Sequence, residues 1–223
     1  MSRPTVSVLM NCLNGARYLR EALDSVYAQT YTDWEIVFWD DASTDESAKI
    51  AKSYGKKVHY FRGLGGMPLG YSRNCALEKV RGHRVAILDC DDQWSMTHLA
   101  GFNDLLPLRP YRALLTESNT LLSSSLLFQT ASLRRYGGWN PTLRYAEMYD
   151  LCLRLSRHHQ PIWQSLGTAS IRIHPGQVFG NGHAAATTEV LKVMRPHHWH
   201  GGLRQVLRES LLWCKYGWQR LTA

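Results

Sequence analysis

Arg84 to Trp94 reads RVAILDCDDQW. The RVAIL portion is a short apolar run of the kind that forms a strand buried on both faces of a parallel sheet. It ends in Asp89, Asp91 and Asp92. Crowded carboxylates repel one another and cost free energy unless they share a cation. A hard divalent ion suits oxygen ligands, and Mg²⁺ or Mn²⁺ is commonly held by one or two carboxylates together with substrate phosphates. The stretch therefore suggests a strand tip at a metal–diphosphate site. The plainer alternative is a turn rich in helix-capping aspartates.

The segments before it follow an alternating pattern. Thr5–Met10 (TVSVLM) fits a buried strand, Asn11 to Gly15 a turn, and Ala16 to Gln29 a helix with Leu19, Leu23, Val26 and Tyr27 on one face. Trp34–Trp39 (WEIVFW) is a second strand, closed by Asp40-Asp41-Ala42-Ser43-Thr44-Asp45. Ser43 or Thr44 can cap a helix running to about Tyr54. Lys57–Phe61 reads as a third strand, Gly63 to Gly70 as a Gly-rich loop, and Tyr71 to Val80 as a helix that leads into Arg84–Leu88. Strand and helix in alternation make a parallel sheet with helices on both faces. Ligands of such open sheets bind at the carboxyl ends of the strands. Asn11–Asn14, Asp40–Asp41 and Asp89–Asp92 all fall there, so they should meet in one crevice.

Composition sets the outer bounds. The 223 residues are 44% hydrophobic, with 8 Trp and 11 Tyr, enough for a sizeable core. No apolar window is long enough to span a membrane and the N-terminal residues lack a signal segment, so a cytoplasmic protein is expected. Cys12, Cys75, Cys90, Cys152 and Cys214 are scattered and make no C-x-x-C pair, against a disulfide framework or a structural zinc site. The formal charge of +8 favours polyanionic partners, but the basic residues are dispersed and no nucleic-acid motif accompanies them. Nucleic acid is therefore not expected as a partner.

Several long stretches resemble one family. Residues 4–45, PTVSVLMNCLNGARYLREALDSVYAQTYTDWEIVFWDDASTD, resemble the opening of the family 2 glycosyltransferases, inverting nucleotide-sugar-dependent enzymes of the GT-A fold. The resemblance continues through PLGYSRNCALEKVRGHRVAILDCDDQW, SSSLLFQTASLRRYGGWNPTLRYAEMYDLCLRL and IRIHPG, in order to residue 176. It implies that Asn11 contacts the nucleotide and that Asp41, with Asp40 beside it, hydrogen-bonds the base. It implies further that Arg73 lies near the pyrophosphate or sugar, and that Asp89 and Asp91 form the D-x-D pair. Asp91 or Asp92 would be the direct metal ligand, and His174 would approach the metal or the diphosphate late in the chain. The implied cofactor is Mn²⁺ or Mg²⁺.

The sequence departs from the family in the segment that normally supplies the general base. The family carries a Glu-Asp pair there, whereas this chain reads Ala146-Glu147-Met148-Tyr149-Asp150, with Met148 at the base position. Glu147 or Asp150 can take over as catalytic carboxylate, or the chain is a weak or inactive transferase. A second departure is the short interval between Asp92 and SSSLLF, a region that shapes the acceptor side. Asn11-Cys12-Leu13 also stands where many members have Pro-Thr-Tyr.

The remaining elements are less regular. Ser123–Phe128 reads as a strand, Ala131–Tyr136 as a short helix, Ala146–Arg157 as a helix and Ala169–Ile173 as a strand. Gly180–His183 reads as a flexible loop, and Leu203 to Leu221 as a basic amphipathic helix. That helix could touch the inner face of a membrane, pack on its own domain or make a homodimer. His158-His159 and the histidines at 197, 198 and 200 read as surface residues. The expectation is a single GT-A domain over 1–223, with a nucleotide-sugar half (1–94), an acceptor half (95–180) and an extension (181–223). It would be a metal-dependent inverting transferase adding one sugar, from a UDP-linked donor, to a glycan or lipid-linked acceptor of a bacterial surface polysaccharide. The alternative is a non-catalytic nucleotide-sugar-binding or scaffold subunit.

Overall fold

A computed structural model describes residues 4–103, 105–107, 123–158, 162–164, 168–174 and 183–194. Its centre is a sheet of β1 (Val6–Cys12), β2 (Trp34–Asp40), β3 (Val58–Arg62) and β4 (Arg84–Ile87), joined at one edge by a later strand, Leu127–Gln129. The helices between the first four are α1 (Ala16–Tyr27), α2 (Ser47–Ser53) and α3 (Leu69–Lys79). After β4 come β5 (Gln93–Trp94), β6 (Leu105–Pro107), the edge strand Leu127–Gln129 as β7, β8 (Ile162–Gln164) and β9 (Ala169–Ser170). The later helices are α4 (Thr130–Arg135), α5 (Glu147–Ser156) and α6 (His183–Met194).

The large sheet has the order β3-β2-β1-β4-β7. Its first four strands are parallel and β7 runs antiparallel to β4. β5 pairs with β9, and β6 with β8, in small antiparallel ladders. This is the mixed, mostly parallel α/β architecture expected, with helices on both faces.

Alternation along each strand explains the two layers of core. Val8, Met10, Ile36, Phe38, Ala86 and Leu88 point to the face covered by Leu19, Leu23 and Val26 of α1 and Ile50 of α2. Leu9, Val37, Val85 and Ile87 point the other way, against Ala76, Leu77, Leu133, Trp139, Met148 and Leu151. A smaller cluster joins α5 to α6 through Leu143, Ala146, Tyr149, Leu153 and Val193.

Some boundaries differ from the sequence reading for local reasons. β1 runs to Cys12, because Cys12 stays paired with Asp40 and its carbonyl accepts the Asp41 N–H. Asn11 is thus a strand residue and not part of a turn. α2 starts at Ser47, and neither Ser43 nor Thr44 caps it. The Asp45 carboxylate takes the Ser47 N–H at 3.0 Å and the Ala16 N–H of α1 at 2.9 Å, serving two helix starts. Ser123–Phe128 is not one strand: Ser123–Ser125 is a 3₁₀ turn and the ladder begins at Leu127. Only Ala169 and Ser170 of the Ala169–Ile173 segment are in a ladder. His183, read as the end of a loop, begins α6. The amphipathic segment Leu203 to Leu221, His159 and the histidines at 197, 198 and 200 lie outside the described residues. His158 stacks on Tyr136, ring centroids 4.8 Å apart. Among the described residues no helix is long and apolar enough to cross a membrane.

Candidate active site

The carboxyl ends of β1, β2 and β4 meet at one level. Parallel register places Asn11 beside Trp39 and Cys12 beside Asp40, and β4 pairs with β1 up to Leu9 opposite Ile87, just before Asp89. The loops beyond are stitched together. Asn14, at φ 54°, accepts from the Thr44 N–H at 2.8 Å, and its own N–H donates to Ser43 Oγ at 2.9 Å. Cys12 and Cys90 also meet here, hydrogen-bonded thiol to thiol; that bond and burial push the Cys90 thiol well up.

Within this crevice the aspartates divide into braces and free faces. Asp40 is fully buried, with one oxygen on the Ser43 N–H (2.7 Å) and the other on Tyr60 Oη (2.5 Å) and near Arg62 (3.5 Å). It shapes the β2 turn and does not face the crevice. Its neighbour Asp41 is only partly covered, and Oδ1 accepts from Ser72 Oγ at 3.1 Å. Asp92 is a second brace, 4% exposed. It accepts from Ser124 Oγ (2.6 Å) and the Arg172 N–H (3.0 Å). Burial pushes its carboxyl up to about 6 despite those hydrogen bonds. With both oxygens committed, Asp92 ties β4's end to the 169–174 segment and leaves the outward position to Asp91.

His174 Nε2 stands 2.9 Å from Asp91 Oδ2, joining residues 83 apart in sequence. The tie has its own support. The Arg172 guanidinium donates to the Asp91 carbonyl, pairs with Glu21 and lies 4.5 Å over the Tyr18 ring. The His174 ring is 4.9 Å from the same Tyr18 ring. Among the described residues no group of three or more His, Cys, Asp or Glu side chains gathers as a metal cage. An Asp–His pair at the mouth of a cleft suits a divalent cation whose remaining ligands are phosphate oxygens and water.

Deeper in, Arg73 of α3 is 1% exposed. Its Nη2 donates to Asp89 Oδ1 at 3.0 Å, and its Nε lies 3.4 Å from Glu147 Oε1. Burial raises the Asp89 carboxyl, with Arg73 opposing and Asp91 adding to the shift. Burial likewise pushes Glu147 up to about 7, against the pull of Arg73. A carboxyl poised near neutrality suits proton transfer. Asp150 is one turn along α5, its carboxylate held by Arg154 at 2.8 Å. Arg154 also donates to the carbonyls of Tyr136 and Gly138, so this pair fastens the 136–138 turn. Met148 is 4% exposed, in the apolar cluster with Leu133, Trp139 and Leu151.

Two side chains here carry buried atoms without a hydrogen bond among the described residues: both amide atoms of Asn11, and the Nη1 of Arg73, whose Nε has only the 3.4 Å ion pair with Glu147. Buried polar groups are nearly always satisfied, so such groups at a cleft point to a missing polar ligand.

Ser124, Tyr18, Arg172 and Glu21 escaped the sequence reading. Ser124 accepts the Asp89 N–H, donates to Asp92 and takes the Trp94 indole N–H on its carbonyl. A triple serine between apolar residues was its one visible signal. Tyr18 and Glu21 are ordinary surface residue types on α1 and Arg172 one just past β9, and only their juxtaposition distinguishes them.

Comparison with known proteins agrees with the fold. Residues 7–105 match the family described as Glycosyl transferase family 2. An uncharacterized glycosyltransferase of Rickettsia prowazekii (strain Madrid E), RP339, is 27% identical across 95% of this chain and 76% of its own. TuaG of Bacillus subtilis (strain 168), whose name gives it provisionally to teichuronic acid biosynthesis, is 34% identical over 44% of this chain and 40% of its own. The crystal structure of S. aureus TarS 1–349 with UDP-GlcNAc superposes with a TM-score of 0.71 at 19% identity, over 86% of this chain. This chain spans 64% of that one. Mannosyltransferase PcManGT from Pyrobaculum calidifontis, in complex with GDP-Man and Mn²⁺, gives 0.65 at 18% identity, over 97% of this chain and 70% of its own.

Proposed function

We propose that this chain, which matches Glycosyl transferase family 2 over residues 7–105, transfers one sugar from a nucleotide-sugar, with inversion, to a glycan or lipid-linked acceptor of a surface polysaccharide. The observation that carries this reading is the buried Arg73, bridging Asp89 on the donor side to Glu147 on the far side. The binding of UDP-GlcNAc by TarS and of GDP-Man by PcManGT supports a nucleotide-sugar donor. Relatives such as TuaG support a surface glycan as the product's destination.

In this reading Asp41 takes the base and Asn11 the nucleoside. Asp89 and Arg73 hold the sugar–diphosphate junction, where Arg73's Nη1, which has no hydrogen bond within the protein, would meet the charge that develops on departure. A divalent cation would be held by Asp91 and His174, where it supplies Lewis-acid neutralisation of the leaving diphosphate. Glu147, ionised, accepts the proton of the acceptor hydroxyl as that oxygen attacks the anomeric carbon. The C–O bond to the nucleoside diphosphate breaks on the opposite face. Asp150, paired with Arg154, is left to a structural role.

The test is a donor screen. Purified protein is mixed with a panel of UDP- and GDP-sugars, Mn²⁺ and polyprenyl-linked acceptors, and nucleotide release is followed. One donor should turn over, and Glu147→Gln should lower kcat by about 10²–10⁴-fold. Nucleotide binding with no turnover on any donor would instead mark a non-catalytic subunit, the reading that Met148's place in the core favours.

A further inference from the structure

Helix α5 starts without a cap of its own. Its N-cap position is Ala146, whose side chain has nothing to offer the free N–H groups of the first turn. A carboxylate from α6 instead holds the three residues that lead into the helix, up to the N-cap N–H itself. Glu189 Oε2 accepts the N–H groups of Tyr145 at 2.8 Å and Ala146 at 3.1 Å, and both its oxygens lie 3.1 Å from the Arg144 nitrogen. Charged acceptors make the stronger hydrogen bonds, and an anion at a helix N-terminus also meets the positive end of the helix dipole. Val193 of α6 packs with Leu143, Ala146, Tyr149 and Leu153, so the carboxylate is carried on a docked helix.

The clamped segment has two consequential neighbours. Glu147 follows Ala146 directly. Arg144 donates to the carbonyls of Gly66 (3.3 Å) and Met67 (3.2 Å), in the Gly-rich loop that leads into Arg73's helix. A shift of this backbone would therefore move both Glu147 and the loop before α3.

We propose that Glu189 is a positioning residue: from the helix His183–Met194 it fixes the backbone on which the catalytic carboxylate Glu147 is mounted. The proposal rests on the reading of Glu147 as general base. It gives the helix His183–Met194 a part in turnover itself, independent of any acceptor contact. Small displacements of a catalytic group cost rate more than they cost binding, because Asp41, Asp91 and His174 sit on other loops.

The full chain is compared with Glu189→Ala and Glu189→Gln by hydrogen exchange, by kcat and donor KM, and by thermal melting. In Glu189→Ala, the amides of Arg144, Tyr145 and Ala146 should exchange at least about tenfold faster. In the same variant kcat should fall at least about tenfold while donor KM stays within about threefold. Glu189→Gln retains an acceptor oxygen and should restore most of kcat. A purely structural role would lower the melting temperature and leave kcat of the folded fraction intact. Unchanged kcat alongside deprotected amides overturns the proposal, and so does unchanged protection in Glu189→Ala. If the alanine variant does not fold, Glu189→Asp, one methylene shorter, serves in its place. Glu147→Gln separates the two claims. Full activity there sinks the base assignment, while the exchange data still report whether Glu189 holds the segment.

Discussion

The Nε of Arg73 lies 3.4 Å from the Glu147 carboxylate, both side chains almost wholly buried, at the junction of α3 and α5. Burial lifts Glu147 to about 7, and the guanidinium opposes that lift. Removing the positive charge should raise Glu147 further. Since Glu147 must be ionised to accept a proton, the rising limb of kcat against pH should sit near 7 in the parent. In Arg73→Met it should move to higher pH by about one unit or more. A pH–rate profile of the two proteins checks this, with circular dichroism to confirm that the variant folds.

The Asp91–His174 contact makes a prediction about cation demand. His174→Ala should raise the Mn²⁺ concentration needed for half-maximal turnover by at least the roughly tenfold that loss of even an outer partner costs. Manganese titration of activity, and of the Mn²⁺ EPR signal with UDP present, would register it. An unaltered midpoint by both readouts would remove His174 from the site.

Gly70, in the first turn of α3, is held to the 139–146 segment without room for a side chain. A Cβ there would stand 2.1 Å from the Asn140 carbonyl oxygen, and the Gly70 N–H donates to the Leu143 carbonyl at 3.0 Å. The obstacle is backbone, so it cannot swing aside as a side-chain tip can. Gly70→Ala should destabilise by roughly 1–3 kcal/mol. For a protein of this size that lowers the melting temperature by roughly 3–10 °C in a thermal scan.

His98 predicts the acid limb of stability. It is 1% exposed, stacked on Trp94 with centroids 4.2 Å apart, with Nδ1 2.6 Å from Thr168 Oγ1. Burial lowers its pKa from 6.5 to about 4. The neutral ring is the form the fold accepts. Its contribution is therefore complete above pH 6.5 and is lost as pH falls towards 4, by roughly 2–3 kcal/mol at most. His98→Gln should flatten the dependence of melting temperature on pH between 6.5 and 4. An identical slope in the variant would place the acid sensitivity elsewhere.

The sheet was legible because parallel strands leave a strong trace: TVSVLM, WEIVFW and RVAIL are apolar runs buried on both faces, each ending in polar residues. The IRIHPG resemblance put His174 near the metal or diphosphate, but its contact with Asp91, 83 residues away, could not be read from spacing. What sequence could not resolve was the division of labour among adjacent aspartates. Asp40 and Asp41, or Asp91 and Asp92, are chemically identical in a string. Strand pleat and the positions of Tyr60 and Ser124 make one of each pair a brace and turn the other outward. The clamp on the residues leading into α5 was equally hidden, because its carboxylate lies 43 residues downstream of Ala146. Helix α6 was missed since HAAATTEVLKVM follows a Gly-rich stretch and has only small alanines, with no large apolar residue, before Val190.

The central claim is that loops from β1, β2 and β4 enclose a nucleoside diphosphate gripped through Asp91 and His174. The most direct measurement is a crystal structure of the full chain soaked with UDP and Mn²⁺, with anomalous data at the manganese edge. The account predicts a peak about 2.0–2.5 Å from Asp91 and His174, with the diphosphate between it and Arg73 and the uracil against Asp41. A peak bound elsewhere, or a nucleotide lying outside this crevice, would contradict it.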